Sequence, residues 1–239
     1  MERLALDLCM SSSIQNSLTT IHQRMEAALE SAGRRPEATK LMLATKTQSV
    51  ETLREAVTCG ELFFGENRVQ ELVPKTDDLA DLPIVWHFIG HLQTNKVKDV
   101  LGRVTCIQSV DRPSLIQALH SECVKRQTAI DVMVEVNTSF EESKHGVHPD
   151  RVETLLDELA NYPTLKVTGF MTIGANTDDE RIVRTGFEML REIRDAYDKS
   201  HGTVSELSMG MSHDLEWAIA EGSTIVRVGS AVFGERPKV

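Results

Sequence analysis

A closed (β/α)8 barrel is the fold class this sequence predicts. Three observations carry that expectation. Eight short apolar runs are each followed by a stretch of helical periodicity. The eight units fit evenly into roughly 200 of the 239 residues. Polar and small residues gather at the end of nearly every run, where barrels of this kind keep their reactive groups. An open doubly wound sheet is the alternative, because periodicity alone does not show closure. No linker, low-complexity tract or fixed-period repeat interrupts the chain, so residues 1–239 are expected to form a single domain.

The elements follow in order. Ile14, Leu18, Ile21, Met25 and Leu29 share one face of an amphipathic helix over 14–32, which ends near Gly33. This helix is extra to the eight units. Strands are expected at 41–46, 62–65, 84–90, 104–110, 130–137, 165–171, 206–209 and 224–228. The near-continuous apolar runs suit a parallel sheet covered on both faces. Helices are expected at 50–58, 66–79, 94–101, 113–126, 149–160, 178–199 and 213–221. Ser49, Pro113 after Asp111, and Ser212 supply start signals.

Composition narrows the function. With 41% hydrophobic residues the chain can bury a full core. A formal net charge of −10 argues against a nucleic-acid partner, whose main attraction would be to phosphates. It leaves room for one phosphate held by backbone amides. Cys9, Cys59, Cys106 and Cys123 form no CxxC pair or metal-ligand group, which suits free thiols in a reducing compartment. Residues 1–8 carry Glu2 and Asp7 and do not read as a signal peptide. No run approaches the roughly 18 apolar residues of a membrane span. A soluble, cytoplasmic, monomeric protein without a membrane partner is the expectation.

Lys46 closes the first run, Leu41-Met42-Leu43-Ala44-Thr45-Lys46. A partly desolvated lysine at a strand's carboxyl end is inclined toward the neutral, nucleophilic amine. It could form a Schiff base with a carbonyl or merely pair with a carboxylate. Two later loops bear on that choice. Ser208-Met209-Gly210-Met211-Ser212 follows the seventh strand, and Gly229-Ser230-Ala231-Val232-Phe233-Gly234 follows the eighth. Loops after these two strands commonly hold phosphate in such barrels. Each loop taken singly is equally well read as turn and capping chemistry. Together with Lys46 they point to a phosphorylated carbonyl compound, and pyridoxal 5′-phosphate (PLP) fits. Arg227 shares a strand face with Ile225. It could donate to the pyridine nitrogen of PLP, or form a rim salt bridge with Glu221 or Glu235.

The chain also resembles a known family, the pyridoxal phosphate homeostasis proteins, single barrels similar to the barrel domain of bacterial alanine racemases. The matching segments include Leu43-Ala44-Thr45-Lys46, Phe64-Gly65-Glu66-Asn67, and Trp86-His87-Phe88-Ile89-Gly90-His91. Further matches are Glu142-Ser143-Lys144-His145-Gly146, Gly169-Phe170-Met171-Thr172-Ile173, Leu207-Ser208-Met209-Gly210-Met211-Ser212-His213-Asp214 and Val226-Arg227-Val228-Gly229-Ser230. They spread over roughly residues 16–236. The resemblance implies that Lys46 carries PLP as a Schiff base and that Ser212, Gly229 and Ser230 hold the phosphate. It further implies that Arg227 faces the pyridine nitrogen and that Asn67 lies near the cofactor; Ser208 and Met209, in the loop of Ser212, are also expected at the cofactor. Thr45 stands where the family usually has serine, and Arg68 where an aromatic is common.

The expected role is cofactor storage or delivery, with apo forms of PLP enzymes as recipients, rather than catalysis. A racemase needs a second base opposite the lysine, which alanine racemase draws from an additional domain and a partner subunit. Tyr162 precedes the sixth strand and Tyr197 ends a helix, so neither is expected at the mouth. Five residues follow Gly234, too few for a covering domain. The rivals are an open-barrel PLP racemase or lyase and a cofactor-free aldolase-type barrel using Lys46. His87 and His91 are candidate acids or bases, although a histidine inside a strand is more often a satisfied core residue. Lys96 and Lys144 sit in βα loops, solvated or in contact with phosphate.

Overall fold

The computed structural model describes residues 13–202 and 204–234. Eight strands close on themselves in sequence order, each parallel to its neighbours. They are β1 (Lys40–Ala44), β2 (Phe63–Glu66), β3 (Val85–Phe88), β4 (Cys106–Val110), β5 (Ile130–Glu135), β6 (Leu165–Met171), β7 (Glu206–Ser208) and β8 (Ile225–Val228). Pairing of β1 with β8, from Lys40↔Ile225 to Leu43↔Val228, is the closure that periodicity alone left open.

Helices cover the barrel. The first, α1 (Ser13–Ser31), precedes β1, and its buried stripe is Ile14, Leu18, Ile21, Met25 and Leu29, as the spacing predicts. The others are α2 (Val50–Thr58), α3 (Val69–Asp78), α4 (Val97–Val100), α5 (Pro113–Arg126), α6 (Val152–Ala160), α7 (Glu180–His201), α8 (Leu215–Ala220) and α9 (Ser230–Phe233). Local chemistry sets their ends. Ser49 Oγ accepts the Thr52 amide at the start of α2, and Asp179 Oδ1 accepts the Arg181 and Ile182 amides at the start of α7. Two stretches expected as helix, 94–96 and 149–151, form single 3-10 turns before α4 and α6. The short α9 was not expected.

Alternation along the strands makes two cores. Leu41, Leu43, Phe64, Phe88, Ile107, Val132, Val134, Phe170 and Val226 face the helices. Met42, Cys106, Met133, Met171 and Ile225 fill the barrel interior. Above this apolar plug, toward the carboxyl ends, lie Gln108, Ser208, Glu135 and Arg227, all buried. Cys106 and Cys123 are buried free thiols. Cys59 is disulfide-bonded, which corrects the expectation of a free thiol there.

Candidate functional site

Lys46 lies two residues beyond β1, half-buried, because the β1–β2 ladder ends at Ala44↔Gly65. The turn that carries it is clamped on both flanks. Lys75 Nζ, from α3, donates to the Thr45 carbonyl at 2.7 Å, and Glu71 accepts the Thr47 amide at 2.7 Å. Lys75 also pairs with Glu66 at 2.7 Å and Glu71 at 2.8 Å. Glu66 in turn accepts Thr45 Oγ1 at 2.8 Å and the Asn67 amide at 2.7 Å. Both Glu66 and Lys75 are buried. One ion-pair network therefore fixes the backbone on either side of Lys46 and of Asn67.

Two adjoining cavities open here, and both are walled by Ala44, Lys46, Met211 and Arg227. One, about 170 Å3, adds Ser212, His213, Gly229, Ser230 and Gly234. The other, about 110 Å3, adds Gly65, Asn67, Ile89, Met171 and Ile173. The first is polar at its far end: Ser212 Oγ and Ser230 Oγ stand 3.5 Å apart, and the opening turn of α9 supplies amides without intrahelical partners. Arg24 of α1 holds this wall in place, with a bidentate bond to Glu216 at 2.7 and 2.9 Å and a bond to the Ser212 carbonyl at 3.0 Å. The extra helix thus supports the loop after β7.

The second cavity is mostly apolar, with Ile89, Met171, Ile173 and Met211 in its wall. Its polar feature is Asn67 Oδ1, a buried acceptor without a hydrogen-bond partner. Asn67 is pressed into place by Gly90, where any Cβ would come within 2.1 Å of the Asn67 carbonyl oxygen.

Arg227 forms the floor common to both. Its NH1 donates to Ser208 Oγ at 2.7 Å and its NH2 to the Thr172 carbonyl at 2.7 Å. Burial lowers its pKa to about 10, with Asp214 and Glu135 opposing the shift, so the guanidinium stays charged at neutral pH. Rim pairing with Glu221 is not what forms: Glu221 binds Arg184 and Arg191 instead, each at 2.6 Å. Glu235 lies outside the described residues. Burial, and then the nearby Asp111 charge, pushes the Glu135 carboxyl up to about 7.

A hydrogen-bonded chain leads from Arg227 down the barrel. Ser208 Oγ donates to Gln108 Oε1 at 2.6 Å, and Gln108 Nε2 meets His87 Nδ1 at 2.8 Å. His87 faces a different cavity, about 460 Å3, at the amino end, with Lys40, Phe63, Cys106, Asp131 and Glu206. That end of a barrel serves stability, and neither Lys46 nor the glycine loops reach it. Burial lowers the His87 pKa to about 4, Lys40 adding to the effect. Because the unfolded chain protonates near 6.5, acid favours unfolding. Stability should be full above pH 6.5 and fall toward pH 4 by at most about 3 kcal/mol, less as the cavity admits water. Urea midpoints across that range should flatten in His87→Gln.

Two residues expected at the cofactor, Ser208 and Met209, line neither of the two cavities beside Lys46. Ser208 points into the barrel and touches Arg227 and Gln108. Met209, on the opposite face, packs among the helices with no exposed surface. Gly210 is required for a different reason than approach to a ligand: its φ is +93°, and a Cβ would come within 2.5 Å of the Ala218 Cβ. Lys144 Nζ bonds Glu141 at 2.7 Å and the Gly174 carbonyl at 2.6 Å, while Lys96 faces Asp99 at 3.9 Å. Tyr162 packs edge-on against His120 and Tyr197 against Phe170, and neither lines the two cavities. Sequence reasoning missed Arg24, Glu71 and Lys75. A lysine four residues after a glutamate was the one signal for the last two.

Fold and site define a barrel of the alanine racemase N-terminal domain class, and the family model so described matches residues 17–237. The chain belongs to the pyridoxal phosphate homeostasis protein family. The Aquifex aeolicus member is 44% identical over 92% of this chain and 96% of its own length. Among solved structures, a protein of unknown function from Bifidobacterium adolescentis superposes with a TM-score of 0.89 at 38% identity, covering 92% of this chain and 94% of that one. PipY of Synechococcus elongatus with PLP bound superposes with a TM-score of 0.78 at 30% identity, covering 90% of this chain and 100% of that one. No helix among the described residues is long and apolar enough to cross a membrane.

Proposed function

We propose that this chain binds PLP through a Schiff base on Lys46 and holds it for release to other proteins, without turning over amino acids. The observation that carries the reading is the pair of adjoining cavities, one bordered by Ser212, Gly229 and Ser230 and the other by Ile89, Met171 and Ile173, with Lys46 and Arg227 in the wall of both. PLP has the matching parts: a phosphate, an aromatic ring and an aldehyde. The residues present fit it, since Asn67 lines the second cavity and its Oδ1 is a buried acceptor without a partner. Bound there, PLP supplies an electrophilic carbon and an electron-withdrawing ring.

The chain's own residues do the rest. Lys46 would supply the amine that condenses with the aldehyde of PLP, with loss of water. Ser212 and Ser230 donate hydroxyl hydrogens to phosphate oxygens, and the amides at Gly229 and Ser230 share the charge. Arg227, held by Ser208 and Thr172, donates toward the ring nitrogen and disfavours its protonation, which weakens the ring as an electron sink. Asn67 orients the ring. With Tyr162 and Tyr197 placed elsewhere, no tyrosine stands opposite Lys46 to move a proton stereospecifically. The relatives' shared name, homeostasis protein, supports storage or delivery of PLP; a cytoplasmic monomer that serves apo PLP enzymes is the form of that role we propose.

Borohydride reduction followed by peptide mapping tests the attachment. The pyridoxyl mass should sit on the peptide containing Lys46. Assays of the loaded protein with alanine and serine test the carrier role. Appreciable racemase or lyase turnover that disappears in Lys46→Ala would sink it in favour of an open-barrel enzyme. A protein that takes up no PLP and condenses sugar phosphates would point to the aldolase-type alternative.

A further inference from the structure

A second cluster of chemistry-bearing side chains stands at the carboxyl end of the barrel, outside both cavities. His91 follows β3, Asp111 follows β4 and His145 belongs to the loop after β5. One donor atom from each lies within 4.8 Å of the others. His91 Nδ1 and Asp111 Oδ2 are 3.9 Å apart, and the His91 and His145 imidazoles are stacked with centroids 4.1 Å apart and planes 21° from parallel. We propose that His91, Asp111 and His145 form a divalent-metal site of the two-histidine, one-carboxylate type, suited to zinc.

Several features argue that the cluster is built rather than accidental. Asp111 has its two oxygens divided: Oδ1 accepts from Arg112 NH1 at 2.6 Å, leaving Oδ2 toward His91. The guanidinium is itself tied to the Leu92 carbonyl at 2.6 Å, so it orients the carboxylate from behind, as outer-shell partners of metal ligands do. The His145 loop is pinned on both sides. Before it, Lys144 is bound to Glu141 and the Gly174 carbonyl. After it, Val147 rejoins β5 through bonds to Asn137 and Glu135.

Bonds of about 2.0–2.1 Å at tetrahedral angles put neighbouring donors roughly 3.4 Å apart. The donors lie within 4.8 Å of one another, and side-chain rotation that unstacks the two imidazoles would turn their lone pairs toward a shared ion. Imidazole nitrogen selects zinc and similar transition ions over magnesium and calcium, which take oxygen ligands. Three protein donors leave a fourth position for water. An ion here would fasten the loops after β3, β4 and β5 to one another beside Asn67, whatever occupies the neighbouring cavities.

The test uses the whole chain, freed of metal by chelation and titrated with zinc chloride against a chromogenic zinc chelator. One zinc per chain is expected, unaffected by excess magnesium. Cobalt in its place should give the visible absorption of a low-coordinate site. His145→Ala and Asp111→Asn should each weaken zinc binding by about tenfold or more. His145 is exposed and Asp111 half-buried, and circular dichroism checks the folding of both variants. Absence of stoichiometric zinc on the parent chain overturns the proposal. So does binding that is unchanged in either variant, since the ion would then sit on other groups.

Discussion

Lys46→Ala is expected to remove covalent PLP completely, leaving weak and reversible binding through the phosphate contacts alone. After reduction and digestion, no pyridoxyl mass should appear on any other lysine at comparable occupancy. Equilibrium dialysis should still detect PLP, because Ser212, Ser230 and the α9 amides do not depend on the amine. A charge-assisted hydrogen bond contributes about 1.5–3 kcal/mol. Ser212→Ala and Ser230→Ala should therefore each weaken that residual binding roughly tenfold, the equivalent of about 1.4 kcal/mol. Full pyridoxyl occupancy at Lys96 or Lys144 in the Lys46 variant would show that the cavities do not select the amine.

Lys75→Met should lower both stability and loading. Lys75 and Glu66 are 6% and 0% exposed, and removing one member of a buried pair costs about 3–5 kcal/mol because the other charge is stranded. For a chain of this size that is a fall in melting temperature on the order of 10 °C. The same change frees the Thr45 carbonyl, so the turn carrying Lys46 loses one of its two clamps. PLP should then load more slowly even at temperatures where the variant is folded. Adding Glu66→Gln removes the stranded charge and should recover much of the stability, whereas loading should stay slow. If loading recovers together with stability, Lys75 supports the fold and does not position Lys46.

Much of the barrel was legible residue by residue. The spans read for β6 and α5 match the observed ones, because Leu165, Val167, Phe170 and Met171 mark the strand and Pro113 marks the helix start. Where the reading overran, hydrogen bonding stopped the strand before the apolar pattern did. Ile89 and Gly90 leave the β3 ladder to meet Asn67, and Lys46 leaves β1 to enter a turn. The position of Lys46 at the mouth survived that shift, since a strand end and the turn after it open onto the same face. Ser208 and Met209 did not survive it. Alternation sends one into the barrel and the other into the helix layer, and a three-residue strand gives too little pattern to settle which residues remain for the loop.

The sequence by itself determined the alternation of eight strands and helices, the lysine at the first strand's end and the paired loops after the seventh and eighth. These are local properties: apolar periodicity, turn residues and the identity of strand-end side chains are all written within a few positions of one another. Only the tertiary structure decided what holds those groups in place. Closure of β1 on β8 puts Lys46, Arg227, Gly229 and Ser230 around one pair of cavities. Lys75 reaches the Thr45 carbonyl across 30 positions, and Arg24 reaches Ser212 across 188. His91, Asp111 and His145 meet only because three consecutive loops open on the same face. Contacts between distant segments leave no period in the chain, so they emerge when the barrel closes and not before.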